Sequence, residues 1–337
     1  MNKNSLRISI AMCTFNGAHY LGEQLASIAS QTRPPDELVV CDDVSSDSSI
    51  DIVKDFASRS TFPVRLLSNE QRLGSTRNFE KAVRECSGEI IALADQDDVW
   101  HPEKLELIES SLARRPEAGL VFSDADIVDE NLQPTGRRMW HEVGFRERQK
   151  DLIRKGRGLE VLLLGWSVTG ATMAFRSCFR DLVLPIPENV PMIHDGWIAL
   201  MIAAIAEVDF IDQPLILYRQ HSEQQIGAPN AQALEVSIKS MKALKEAAGR
   251  IHSYDGLVQI IETVKRRLTE REVAPEWQRS SDYLESWLEH VRIRMNLPTG
   301  VLARASAVLK EFLAWRYHRY ASGTTSAAKD LIYGTRH

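Results

Sequence analysis

The sequence predicts an α/β protein with a mainly parallel sheet covered by helices, followed by a C-terminal α-helical extension. Over the first 125 residues, short apolar runs alternate with amphipathic helical patterns, which is the order of a sheet with crossover helices. The apolar runs are continuous, as expected for strands that are buried on both faces. Strand signals end near residue 226. A chain of 337 residues has room for two units, and we place them at 1–227 and 228–337.

The strands and helices of the first half are predicted in order along the chain. The predicted strands are 7–13, 37–41, 64–67 and 89–94, all rich in apolar residues. Each is followed by a helical pattern. Pro34 and Pro35 end the first helix, Ser45–Ser49 offers caps for the second, and Pro102 opens the last, which runs to about Arg114.

The remaining elements alternate less regularly. We predict strands at 120–123, 174–176 and 215–218, and helices at 159–164 and 195–206. Residues 231–320 are predicted to form several amphipathic helices, with breaks near Gly249, Pro275 and Pro298.

Composition and charge exclude several classes of protein. Hydrophobic residues make up 44% and charged residues 26% of the chain, which is typical of globular proteins. The net charge of −5 argues against a dedicated nucleic-acid-binding protein, so we expect no nucleic-acid partner. The four cysteines include no C-x-x-C pair, and the longest apolar run, Trp197–Ala206, is about half of a bilayer span. We therefore expect a cytoplasmic protein that is not integral to a membrane.

Acidic residues follow the predicted strand at 89–94, in the sequence D-Q-D-D at 95–98. Ligands bind beyond the carboxyl ends of parallel strands, where Thr14–Asn16 and Asp42-Asp43 are also expected. Carboxylates this close repel one another unless a cation compensates, and oxygen ligands select Mg²⁺ or Mn²⁺, which often carry substrate phosphates. The alternative is a helix cap before Pro102, but a cap needs one carboxylate rather than three.

Four further residues are candidates for chemistry, and three of them have a plainer alternative. Asp195 is placed to act as a general base, or else to cap its helix. Trp197 is a sugar platform or, by its spacing, a core residue. Arg219 is suited to bidentate binding of a diphosphate, and His221 is a third metal ligand or simply a hydrogen-bonded side chain.

Several motifs of other enzyme classes are absent from the sequence. There is no G-x-G-x-x-G, G-x-x-x-x-G-K-[ST], H-E-x-x-H or G-x-S-x-G. Dehydrogenases, P-loop NTPases, zinc proteases and α/β-hydrolases therefore lose their main support.

The ordered motifs of residues 1–227 resemble those of family 2 glycosyltransferases, which have the GT-A fold. The motifs that carry the resemblance are ISIAMCTFN (8–16), LASIASQ (25–31), ELVVCDDVSSD (37–47), GSTRN (74–78), DQDDVW (95–100), HDGW (194–197) and YRQH (218–221). The segment GWSVTGATMAFR (165–176) and the YRQH motif resemble the rhamnosyltransferase-like subgroup, which builds bacterial surface polysaccharides.

The resemblance implies a role for each matching residue. The nucleotide-binding set is Thr14, Phe15, Asn16, Asp43, Arg77 and Asp95. Asp97 and His221 would hold Mg²⁺ or Mn²⁺, and Asp195 would be the catalytic base of an inverting displacement. The donor would be a UDP- or dTDP-sugar, and the acceptor a glycan or a lipid-linked sugar.

Two positions depart from the family pattern. The usual Asp-Asp-Gly-Ser turn is Asp-Asp-Val-Ser here, so we expect Val44 to avoid the positive φ that glycine permits. The base motif is His-Asp rather than Glu-Asp, which removes a neighbouring carboxylate.

The C-terminal region is basic, in contrast to the acidic body. Residues 1–225 carry 34 acidic and 24 basic side chains, whereas 226–337 carry 12 and 17. The excess of basic residues is largest at 291–337. Residues 301–320 are predicted to form a helix with one broad apolar face, suited to an anionic membrane surface. The alternative is an ordinary packing or dimerising helix.

Two other functions are weighed against glycosyl transfer. A nucleotidyltransferase would carry a glycine-rich basic loop after the first strand, which Cys13–Gly17 lacks. A non-catalytic sugar-binding or scaffold protein on the same fold would have no need for Asp95, Asp97 and Asp195 together.

Overall fold

The computed structural model describes residues 5–165, 167–222, 224, 254–271, 278–321 and 323–334. These residues form two compact units. The first contains 5–187 and 193–224, and the second contains 188–192 and 254–334. The predicted boundary at 227/228 and the predicted breaks at Gly249 and Pro275 lie outside the described residues.

The first unit is built on a nine-stranded sheet in the described part of the chain. Its strands are β1 (Ile8–Thr14), β2 (Glu37–Asp42), β3 (Val64–Ser68), β4 (Ile90–Ala94), β5 (Val99–Trp100), β6 (Ala118–Val128), β7 (Pro134–Arg138), β8 (Met173–Arg176) and β9 (Glu207–Arg219). The strand order is β3-β2-β1-β4-β8-β6-β9-β5, and β7 pairs with β6.

The first four strands form the parallel half of the sheet. β1 pairs in parallel with β2 and β4, and β2 with β3. Strand β8 then runs antiparallel to both β4 and β6, while β9 is parallel to β6. The parallel register brings Thr14 beside Asp42, so the polar residues after β1 and β2 meet at one edge of the sheet.

Helices cover the sheet of the first unit. They are α1 (Ala18–Ala29), α2 (Ser49–Arg59), α3 (Ser75–Glu85), α4 (Lys104–Arg114), α5 (Met139–Glu142), α6 (Glu147–Arg154), α7 (Gly158–Leu164), α8 (Arg180–Val183) and α9 (His194–Ala203). The core between α1, α4 and the sheet includes Ile10, Leu21, Leu25, Leu38 and Leu105, which are almost fully buried. Burial of such side chains contributes about 1.5–3 kcal/mol each.

The second unit is helical. Its helices are α10 (Tyr254–Glu270), α11 (Gln278–Met295), α12 (Val301–Leu313), α13 (Arg316–Tyr320) and α14 (Thr324–Tyr333). The break predicted at Pro298 is confirmed between α11 and α12. A small core joins the last three helices around Leu297, Val308, Tyr317 and Ala327. None of the described helices has the length and apolar content needed to cross a bilayer.

The prediction of one helix with a single broad apolar face over 301–320 is wrong in two respects. The helix is interrupted at Trp315, which has a φ of 60°. The apolar residues also lie on two faces, since Val308 is buried whereas Leu302, Leu309 and Leu313 are exposed. The buried face packs on the rest of the unit, and the other face points to solvent.

Candidate active site

A cavity of about 420 Å³ opens at the carboxyl ends of β1, β2 and β4. Asp43, Asp97 and Asp195 all line it, although they lie in three distant segments of the sequence. Thr14, Phe15, Asn16, Asp95 and His221 line it as well. The structure therefore brings eight of the predicted site residues into one concave space, as a binding site requires.

The D-Q-D-D loop presents Asp97 to His221. The Oδ2 atom of Asp97 lies 2.9 Å from Nε2 of His221, and the imidazole ring packs 4.5 Å from the ring of Tyr20. The loop is not a helix cap, since α4 begins six residues after Asp98 and is preceded by Glu103. A carboxylate beside an imidazole at a cavity wall fits a divalent cation.

No group of three His, Cys, Asp or Glu residues is arranged to surround an ion within the described ranges. Asp97 and His221 are the pair expected to hold a metal at this position. Mg²⁺ and Mn²⁺ usually complete their coordination with water and substrate phosphates, so the pair is sufficient for a metal that arrives with a diphosphate.

Asp95 lies beside this pair and needs compensation for its charge. Burial, together with the neighbouring carboxylates of Asp97 and Asp195, raises the pKa of Asp95 to about 7. A cation placed among these side chains would favour the charged carboxylates. The electrostatics of the cavity therefore fit a bound metal ion.

Arg219 does not line the cavity, and its predicted role as a direct diphosphate ligand is not supported. Its side chain is 2% exposed. Nε donates to the carbonyl of Asp97 at 2.8 Å, and Nη1 donates to the carbonyl of Glu130 at 2.5 Å. Nη2 pairs with the carboxylate of Glu23. The guanidinium is thus used to hold the loop that carries Asp97.

Asp195 lies in the first turn of α9, and two backbone groups fix its carboxylate. The Gly170 N–H donates to Oδ2 at 3.0 Å, and the Gly196 N–H donates to Oδ1 at 2.6 Å. The side chain is almost fully buried and faces the cavity. A desolvated and oriented carboxylate of this kind can accept a proton from a hydroxyl in the cavity.

His194 precedes the candidate base and is uncharged. Burial lowers the pKa of His194 to about 3, and its ring stacks on Phe79 with centroids 4.1 Å apart. The His-Asp motif therefore places a neutral ring, rather than a second carboxylate, next to Asp195.

Trp197 is a core residue, and its predicted role as a sugar platform is wrong. The indole is fully buried and Nε1 donates to the carbonyl of Val183 at 2.8 Å. It does not belong to the cavity lining. Its spacing on α9 had already favoured the core.

The loop after β1 is held by side chains from the neighbouring loops. Thr14 Oγ1 donates to Asp42 at 2.8 Å, and Asn16 Oδ1 accepts from the Ser46 N–H at 2.8 Å. Gln96 accepts from the Phe15 N–H at 2.8 Å and donates to the Phe15 carbonyl at 3.1 Å. These hydrogen bonds fix the backbone position of Phe15 at the cavity wall.

Asp43 binds the segment that precedes α3. It accepts from the Leu73 N–H at 2.6 Å and from the Gly74 N–H at 2.9 Å. The guanidinium carbon of Arg72 lies 3.8 Å from the centroid of the Phe15 ring, so Arg72 covers this part of the cavity wall. The prediction for Val44 is wrong: its φ is 65°, because the turn keeps the left-handed conformation even without glycine.

Arg77 is not part of the cavity lining. Its Nη1 pairs with the Glu80 carboxylate at 2.5 Å on α3. The expected approach to a nucleotide is therefore not seen for this side chain.

Two residues that shape the site, Gln96 and Gly170, are not among the site residues predicted from the sequence. A Cβ at Gly170 would lie 3.2 Å from Nε2 of His194, so the turn beside Asp195 is tight. Only Gln96 is marked in the sequence, because it is the one amide side chain among the acidic residues of the D-Q-D-D loop.

A sheet of this order, with an acidic cavity at the carboxyl ends of its parallel strands, is that of a glycosyltransferase with the GT-A fold. The profile of Glycosyl transferase family 2 matches residues 9–183. The chain therefore belongs to this family, and the expected family and fold are confirmed.

The similar proteins are more informative about fold and family than about substrate. The chain is 25% identical over 232 residues to a dTDP-rhamnosyl transferase, RfbG of Shigella flexneri, covering 64% of this chain and 74% of that one. It is 32% identical over 124 residues to WfgD of Escherichia coli, a UDP-Glc:α-D-GlcNAc-diphosphoundecaprenol β-1,3-glucosyltransferase, covering 37% of this chain and 47% of WfgD.

Among solved structures, the chain is similar to the mannosyltransferase PcManGT of Pyrobaculum calidifontis in complex with GDP-Man and Mn²⁺. The TM-score is 0.52 at 18% identity, and the match covers 99% of this chain and 89% of that one. This likeness establishes the fold.

Proposed function

We propose that the protein is an inverting, metal-dependent glycosyltransferase that moves a sugar from a nucleoside diphosphate to a hydroxyl group. The observation that carries the proposal is that Asp97, His221 and Asp195 line one cavity. It supports the proposal because a pair of side chains suited to a divalent cation and a candidate base face the same space, which a donor sugar and an acceptor could share.

The roles of the residues follow from their placement. Phe15 and Asp43 form the wall on which the nucleotide would bind, and Asp97 and His221 would hold Mg²⁺ or Mn²⁺. The metal, when bound, offsets the negative charge of the leaving diphosphate. Asp195 takes the proton of the acceptor hydroxyl as its oxygen attacks the anomeric carbon, while the bond to the diphosphate breaks on the opposite side.

The relatives support the finer assignment. RfbG is named for dTDP-rhamnose and WfgD for UDP-glucose and a lipid-linked acceptor, whereas PcManGT was solved with Mn²⁺. We propose a UDP- or dTDP-sugar as donor, and a glycan or lipid-linked sugar of a bacterial surface polysaccharide as acceptor. The subgroup proposed is the rhamnosyltransferase-like one.

A thermal-shift screen tests the donor and the metal together. Wild-type protein and Asp97→Ala are heated with UDP-glucose or dTDP-rhamnose, each with and without Mn²⁺. A ligand that binds the native state raises the melting temperature with concentration. We expect a Mn²⁺-dependent rise with one of the two donors in the wild type only. No rise with either donor, or an equal rise in Asp97→Ala, would contradict the assignment.

The second unit supports a membrane partner. Leu302, Leu309, Leu313 and Trp315, here called the apolar stripe, are 88%, 56%, 70% and 69% exposed. The leucines are seven and four residues apart, so they share one face of α12. Exposed Lys310 and Arg319 lie in the same segment. Apolar residues beside basic ones are suited to the surface of an anionic bilayer, and we propose that the protein is peripheral at the inner face of the cell membrane.

Vesicle flotation tests this surface. The full chain is mixed with phosphatidylcholine vesicles, with or without phosphatidylglycerol, and compared with the variant Leu302→Ser/Leu309→Ser/Leu313→Ser. We expect the wild type to float only with the vesicles that contain phosphatidylglycerol, and we expect the variant not to float with either kind of vesicle. A wild type that does not float, or that forms a dimer lost in the variant, would contradict the membrane proposal.

A further inference from the structure

Lys104 is a fully buried lysine that lies outside the cavity lining. It is the first residue of α4 and has no exposed surface. Burial lowers the pKa of its ammonium group to about 7, although the carboxylates of Asp98 and Asp95 act to raise it. A buried charge is expensive unless other groups compensate it, so its contacts indicate what the charge is used for.

The ammonium group contacts a turn on the far side of the site. Nζ donates a hydrogen bond to the carbonyl of Ala171 and lies 3.9 Å from the ring centroid of Trp100. Ala171 is the central residue of the 3₁₀ turn Gly170–Thr172. The adjacent Gly170 N–H donates to Asp195 Oδ2 at 3.0 Å.

The acidic loop that carries Asp97 also influences Lys104. Asp98 ends the D-Q-D-D loop, and its Oδ1 accepts from the Arg219 N–H at 3.1 Å. The carboxylates of Asp98 and Asp95 favour the charged form of Lys104, and its hydrogen bond holds the turn that lies beside Asp195.

We propose that Lys104 is a positioning residue: by holding the Ala171 carbonyl, it fixes the Gly170–Thr172 turn and thereby the carboxylate of Asp195. The proposal rests on the role of Asp195 as base. Lys104 does not contact substrate in this account. Without the ammonium group, the Ala171 carbonyl loses this donor and the turn is free to shift, and a displacement of about 1 Å in a reacting group can reduce turnover by about 100-fold.

The test compares Lys104→Met with a matched control, Lys150→Met. Methionine keeps most of the volume of lysine but removes its charge and its donors. Lys150 also lies over a tryptophan, 5.0 Å from the Trp140 ring, but its ion pairs are with Glu147 and Asp212, away from the cavity lining. Three quantities are measured: hydrogen exchange of the backbone amides at 169–173, kcat for the release of UDP or dTDP from UDP-glucose or dTDP-rhamnose with Mn²⁺, and the dissociation constant of UDP or dTDP with Mn²⁺.

We expect Lys104→Met to speed amide exchange at 169–173 and to lower kcat by about 10- to 100-fold. The dissociation constant of UDP or dTDP with Mn²⁺ should stay within about threefold, because the nucleotide wall is unchanged. Lys150→Met should match the wild type in all three. Wild-type exchange or a wild-type kcat in Lys104→Met would overturn the proposal, as would a kcat loss matched by loss of nucleotide binding.

A second variant covers the case in which Lys104→Met does not fold. Lys104→Gln keeps a polar group that is too short to span the same distance, and the same losses are expected from it. A wild-type protein that releases no nucleotide from either donor would instead contradict the proposed function. The exchange at 169–173 would then still show whether Lys104 holds the turn.

Discussion

Replacing Arg219 by methionine removes the side chain that holds the loop of Asp97. The change leaves the carbonyls of Asp97 and Glu130 without the donors that lie 2.8 and 2.5 Å away. A fully buried polar group that loses its partner costs about 1–3 kcal/mol. Both of these bonds are only partly buried, so the free energy of unfolding should fall by roughly 2–4 kcal/mol in total. Because Asp97 is then less well positioned, affinity for Mn²⁺ with nucleotide should fall by about 10-fold or more.

Urea unfolding measures the first effect and calorimetric titration with UDP and Mn²⁺, or dTDP and Mn²⁺, measures the second. The control is Glu23→Gln, which removes only the ion pair to a carboxylate that is 55% exposed. An exposed partner of this kind is worth less than about 1 kcal/mol, so the control should bind Mn²⁺ and nucleotide normally. An Arg219→Met protein with wild-type stability and wild-type affinity would refute the assigned role.

Three further predictions concern single residues. Val44→Gly should raise the free energy of unfolding by about 0.5–1 kcal/mol, because relief of the φ of 65° outweighs the added flexibility of glycine; a loss of stability in urea would contradict the strain. Trp197→Ala should lower the free energy of unfolding by about 3–5 kcal/mol. Trp197→Phe should bind nucleotide and Mn²⁺ as the wild type does, and weaker binding by this variant would show that Trp197 is part of the binding site after all. His194 has a pKa of about 3 in the folded protein, against 6.5 in the unfolded chain. The stability that its neutral form contributes is therefore complete above pH 6.5 and is lost as the pH falls towards 3, and at pH 5 the free energy of unfolding should be lower by about 2 kcal/mol. His194→Phe should lose less stability between pH 7 and pH 5 than the wild type does.

Much of the first unit was predictable from the sequence because its physical signals are local. Continuous apolar runs such as 37–41 identified buried parallel strands, and the polar residues that follow them meet at one edge by topology alone. The second half was harder, since Asp209, Asp212 and Pro214 interrupt the apolar pattern of β9, and only its last part, 215–218, was predicted as a strand.

The errors at Arg219 and Val44 have physical reasons. The sequence alone does not show whether the Arg219 guanidinium faces a ligand or binds the carbonyls of Asp97 and Glu130. These residues lie about 120 and 90 positions away in the chain, and the fold brings them beside Arg219. The rule that β-branched residues avoid positive φ is a local preference, and hydrogen bonds around the turn, such as Ser45 to Asp42, outweigh it. Lys104 gave no signal because a lysine at a helix start is ordinarily exposed.

The central claim is that the cavity that binds the donor also contains the base, Asp195, which takes the proton of the acceptor hydroxyl. The variant Asp195→Asn tests this claim most directly. Asparagine keeps the size of the side chain and an acceptor for the Gly170 N–H, but cannot take a proton. The measurement is kcat for nucleotide release, beside the dissociation constant of the same donor with Mn²⁺. The account predicts a fall in kcat of about 10²- to 10⁴-fold with donor affinity nearly unchanged. Full activity in Asp195→Asn would contradict it.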